Sequence, residues 1–101
     1  MTPDQLAAQT TAILADLIAI DTTSRESNLD LIAYVERHLG QIGVTGRRVF
    51  NAEGTKANLY ATIGPVEPGG VVLSGHSDVV PVDGQNWTSD PWRLTDRKSV
   101  V

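Results

Sequence analysis

Apolar positions divide the chain into helix-like and strand-like stretches. Leu6, Ala7, Ile13, Leu14, Leu17 and Ile18 recur at helical spacing behind Thr2-Pro3-Asp4, which predicts an amphipathic helix with Thr2 as its cap and Pro3 in its first turn. Asp21-Thr22-Thr23-Ser24 offers short polar side chains that compete for backbone hydrogen bonds, so the helix should end there in a loop of capping and turn chemistry. A second helix is predicted over residues 28–39, capped by Ser27 or Asn28, stopped by Gly40, and burying Leu29, Ile32, Val35 and Leu39. Residues 44–50 and 57–63 read as strands joined by a hairpin-length loop at 51–56. The second alternates Leu59, Ala61 and Ile63 with Asn58, Tyr60 and Thr62. After the turn-rich connector 64–70, Val71-Val72-Leu73 is an uninterrupted apolar run between glycines, read as a strand covered on both faces. Helix, helix, hairpin and buried strand, with no internal repeat, predict an α/β arrangement of helices packed on a mixed β-sheet.

Composition narrows the function classes. The 101 residues are 41% hydrophobic and 20% charged, the makeup of a globular domain with one modest core. The net charge is −4 and the eight Lys and Arg are scattered, with only Arg47 and Arg48 adjacent, so nothing favours nucleic acid or an anionic membrane as partner. A small-molecule partner is expected instead. The absence of cysteine excludes disulfides and thiolate zinc sites, leaving His, Asp and Glu as metal donors, and cytoplasmic residence fits this best. Asp4 and Asp16 argue against a signal peptide or a membrane span at the start.

The chemistry concentrates where the apolar run 71–73 opens into a loop. His76 is expected at the C-terminal end of that strand, the usual place for catalytic groups in layered α/β folds. Asp78 follows two residues later. In an extended chain both side chains leave the same face, and the carboxylate can orient the imidazole as metal-bound histidines require. By spacing alone, a lone histidine at a strand end is more often a hydrogen-bonded structural residue than a metal ligand. His38, the other histidine, falls in the last turn of the second predicted helix, where a dipole interaction or solvent exposure suits it better than ligation. Trp87 and Trp92 either line a binding lip or pin their loop onto its own domain.

The stretch GHSDVVPVDGQNWTSDPW around His76 resembles the zinc-dependent amidohydrolases and exopeptidases that group acetylornithine deacetylases, succinyl-diaminopimelate desuccinylases, aminoacylases and glutamate carboxypeptidases. It looks most like the acetylornithine deacetylase branch, and IDTTS and SRESNLDLIAYV extend the likeness. The resemblance implies a zinc-exopeptidase-like catalytic domain that hydrolyses the amide of an N-acyl amino acid, N2-acetylornithine in arginine biosynthesis, or a sister substrate. It also implies two zinc ions, with cobalt able to substitute, and a cytoplasmic homodimer. Carried onto this chain, it makes His76 a metal ligand and Asp78 the catalytic-site carboxylate that orients it. The bridging aspartate, the Glu-Glu pair and the further ligands of such enzymes have no counterpart here. The expectation is therefore an incomplete N-terminal part of the catalytic domain at 1–95, inactive alone, with a small non-catalytic module as the rival reading. Residues 98–101 depart from the family pattern, and one codon choice for 96–101 resembles a sequencing-adapter sequence, so 96–101 are expected to be a non-native tail.

Overall fold

A computed structural model describes residues 1–96 and 98; Arg97 and 99–101, where most of the expected tail falls, lie outside the described residues. The chain forms two compact units, one of residues 1–21 with those from 81 onward, the other of residues 22–80.

The first unit holds α1, Pro3–Ala19. Its start is a capping box. The Gln5 N–H donates to Thr2 Oγ1 at 3.1 Å and the Thr2 N–H donates to Gln5 Oε1 at 2.8 Å, with Pro3 at the position whose missing N–H costs nothing and Asp4 in the first turn against the helix dipole. The helix ends at Ile20, whose N–H reaches back to the Leu17 carbonyl, where the polar DTTS segment predicted an end. Ile13, Leu17 and Ile18 are half-buried and Leu6 and Leu14 exposed, so no α1 residue is fully buried. In the same unit residues 81–96 are irregular and carry short-range bonds. Gln85 Nε2 donates to the Pro81 carbonyl at 2.6 Å, Trp87 Nε1 to Gln85 Oε1 at 3.0 Å, and the Trp92 N–H to Asp90 Oδ1 at 2.9 Å. Trp92 is half-buried and Trp87 exposed.

The second unit is built from α2, Leu29–Gln41, and an antiparallel hairpin of β1, Arg47–Phe50, and β2, Ala57–Tyr60. Helix α2 packs on β2, and Ile32 and Ala57 are its buried apolar residues. Gly40 does not stop α2, as expected from sequence, but sits inside it. The helix runs on to a C-terminal motif at Gly43, which has φ +75°. The Gly43 N–H donates to the Gly40 carbonyl and the Val44 N–H to the Leu39 carbonyl, the paired bonds that close a helix through a left-handed glycine. Asn28 is the residue before α2 but makes no capping bond. Its side-chain amide instead bonds Ala57 twice, donating to its carbonyl at 2.8 Å and accepting from its N–H at 3.0 Å. Across α2 and β1, Arg48 forms a two-pronged ion pair with Glu36, its Nε to Oε2 distance 3.0 Å. The guanidinium's hydrogen bonds hold the Glu36 carboxyl below its ordinary pKa, aided by charge attraction and opposed by burial, and the same pairing raises Arg48.

The hairpin turn at 51–56 forms as predicted, because Asn51 Oδ1 accepts from the N–H groups of Thr55 and Lys56 while Gly54 supplies φ +71°. The strands are shorter than the predicted 44–50 and 57–63. Among the described residues the sheet is purely antiparallel with two strands, not mixed. Val71, Val72 and Leu73 form no strand and are 79–92% exposed, which corrects the reading of a buried strand. An apolar run becomes a strand only when neighbours take up its N–H and C=O groups, and among the described residues none lies alongside it. Among the described residues the only bridge outside the hairpin is parallel, between Thr23 and Val79.

Candidate metal centre

His76 and Asp78 come together as their spacing suggested, although no strand delivers them. The His76 Nδ1 lies 3.0 Å from Asp78 Oδ1 and 3.1 Å from the Asp78 backbone carbonyl. Two acceptors on one ring nitrogen require that nitrogen to carry a proton, so in the neutral ring the lone pair lies on Nε2. The imidazole is open to solvent, its side chain 85% exposed. Neutral imidazole with Nδ1 tied to a carboxylate and Nε2 bare is the donor chemistry of a metal-ligating histidine, so His76 fits a divalent cation as one ligand. Among the described residues no group of three or more His, Asp or Glu side chains is placed to hold a metal. The other histidine, His38, is half-buried in the last turn of α2 and packs at a tilt against Tyr34 with ring centroids 4.7 Å apart.

What holds the His76–Asp78 loop was not read from the sequence. The IDTTS segment, expected to do turn chemistry, contributes Thr22 and Thr23, which are 5% and 2% exposed. Thr22 Oγ1 donates to the Ser77 carbonyl at 2.6 Å, the Val79 N–H donates to the Thr22 carbonyl at 3.2 Å, and the Ser24 N–H donates to the Val79 carbonyl at 3.0 Å. The available signal was two successive β-branched residues in a polar segment, a pattern that favours extended pairing over a simple turn.

Comparison with known proteins finds sequence relatives whose names are those of hydrolases. The chain is similar to a stretch of the amidohydrolases that release an acyl group from an amino acid. The particular relatives are acetylornithine deacetylases. The protein of that name from Pasteurella multocida is 40% identical over 81 residues, 78% of this chain and 21% of its own. The one from Photorhabdus laumondii is 42% identical over 81 residues, 78% of this chain and 20% of its own. The one from Myxococcus xanthus is 40% identical over 91 residues, 85% of this chain and 23% of its own. The chain thus spans about a fifth of the length of the curated relatives it matches. A match covering 78% of 101 residues includes His76 and Asp78 wherever it begins. No family model matches the chain, and no solved structure does. No helix among the described residues is long and apolar enough to cross a membrane.

Proposed function

We propose that this chain is a segment of a metal-dependent amidohydrolase that cleaves N2-acetylornithine to ornithine and acetate, with His76 as a metal ligand and Asp78 as the carboxylate that orients it. The observation that carries the reading is the 3.0 Å contact between His76 Nδ1 and Asp78 Oδ1, inside the region shared with acetylornithine deacetylases. Asp78 keeps the proton on Nδ1 and fixes the ring plane, so Nε2 faces outward as a donor. A divalent zinc pair, or cobalt in its place, would polarise the amide carbonyl and supply a water of lowered pKa. The remaining ligands and the glutamate that moves the proton come from outside the described residues, so the chain alone is inactive. The same reading places the enzyme in the cytoplasm, as a homodimer, in arginine biosynthesis.

The test is to graft the matched segment into the Photorhabdus laumondii relative in place of its counterpart and assay hydrolysis of N2-acetylornithine against N-succinyl-diaminopimelate. The chimera should prefer the acetylated substrate. His76→Ala should abolish both metal at one site and hydrolysis, whereas Asp78→Asn should cost roughly 10- to 100-fold. A His76→Ala chimera with full rate and full metal would sink the assignment, and preference for the succinylated substrate would move it to the sister enzymes.

A further inference from the structure

The hydrogen bonds around Asp78 are distributed unevenly in a way that singles out one residue. The peptide groups on both sides of Asp78 are taken up by the 22–24 segment: the Ser77 carbonyl by Thr22 Oγ1, the Val79 N–H by the Thr22 carbonyl, and the Val79 carbonyl by the Ser24 N–H. Two of these three are backbone pairs that any residue could make. The third is a side-chain hydroxyl, part-buried, at 2.6 Å, and it grips the carbonyl immediately before Asp78. A turn of that peptide carried through the Asp78 N–Cα bond would swing both the Asp78 carbonyl and its carboxylate relative to His76 Nδ1, to which they now lie at 3.1 and 3.0 Å. Replacing the hydroxyl by a methyl would also leave the Ser77 carbonyl without its partner, an added pressure on that peptide to turn toward water.

We propose that Thr22 is a positioning residue for the candidate metal centre: its hydroxyl fixes the Ser77 carbonyl and thereby aims Asp78 at His76 Nδ1, setting which ring nitrogen is free to bind. The inference rests on the reading of His76 as a ligand through Nε2. Its test uses the chain labelled with 15N, recording two-bond imidazole correlations in alkaline buffer, where both rings are neutral. In the unaltered chain His76 is expected as the Nδ1–H tautomer. Thr22→Val should shift it to predominantly Nε2–H and lower Val79 amide protection about tenfold, while Thr22→Ser, which keeps the hydroxyl, should restore both. A residue that merely braced the loop would change Val79 protection and leave the tautomer alone, so an unchanged Nδ1–H form in Thr22→Val overturns the proposal. Asp78→Ala separates the two levels. If it shifts the tautomer and Thr22→Val does not, only the role of Thr22 falls; if neither shifts it, the Asp78 carboxylate does not set the tautomer and the proposal falls with it. Should Thr22→Val not fold, the Thr22 hydroxyl proton of the unaltered chain decides. Slow exchange with retained tautomer in Thr22→Ser supports the role, and exchange too fast to observe overturns it.

Discussion

Asn28→Ala should destabilise the second unit more than any surface substitution, and the register of the hairpin shows why. The Asn51 N–H bonds the Lys56 carbonyl, which makes 51 and 56 a hydrogen-bonded pair. By antiparallel alternation the next pair, Phe50 and Ala57, exchanges no bonds. The N–H and C=O of Ala57 therefore point away from β1, toward the open edge of β2, and Asn28 takes both. Ala57 is only 4% exposed, so truncating Asn28 strands two backbone groups with poor access to water. At about 1–3 kcal/mol for each unsatisfied group, and taking the low end because Asn28 itself is half-buried, the loss is about 2–3 kcal/mol. With a urea dependence of about 2 kcal/mol per molar, the midpoint should fall by roughly 1 M or more. Both tryptophans belong to the other unit, so their fluorescence is the wrong probe. Far-UV circular dichroism, with amide exchange at Val49 and Asn58, reads the hairpin directly. A midpoint within about 0.2 M of the unaltered chain would refute the reasoning.

Two further outcomes follow from the same unit. Gly40→Ala and Gly43→Ala should have opposite signs although neither added Cβ meets an atom within 4 Å: the first raises helix stability by about 1 kcal/mol, while the second lowers it by about 1–2 kcal/mol because φ is +75° there; paired urea melts check both. Glu36, held below its ordinary 4.5 chiefly by hydrogen bonds from Arg48, stabilises the fold above the unfolded-state pKa and loses that contribution as pH falls through its lowered folded value. Glu36→Gln should therefore flatten the decline of the urea midpoint below pH 4.5, and an unchanged acid limb would show that the pair is immaterial.

The parts of the fold legible in the sequence are those whose partners lie within a few residues. The Thr2-Pro3 start of α1, the turn centred on Asn51 and the amphipathic stripe of α2 each close on themselves. The two glycines three residues apart at the end of α2 are not distinguishable by identity, because either could adopt the left-handed conformation and only the closing bonds to Leu39 and Gly40 select Gly43. Asn28 reads as a cap because nothing local reveals that an edge 29 residues away competes for its amide. The same gap explains Val71 to Leu73, whose apolar run states that burial is favourable but not what would bury it. At the candidate centre, the two-residue spacing of His76 and Asp78 was sufficient to foresee their contact. The 55-residue reach from Thr22 to Ser77 was not foreseeable from local pattern.

The account turns on His76 presenting Nε2, with Nδ1 held by Asp78, and zinc titration of the 15N-labelled chain followed at both histidines measures this most directly. With one imidazole donor and no group of three ligands among the described residues, binding should be weak and saturate only at high zinc. The resonance of His76 Nε2 should move, its Nδ1 should keep its proton, and His38 should stay unchanged against Tyr34. Zinc that shifts His38 as much as His76, displaces the Nδ1 proton, or leaves His76 untouched at every concentration would contradict the assignment of this loop as a metal site.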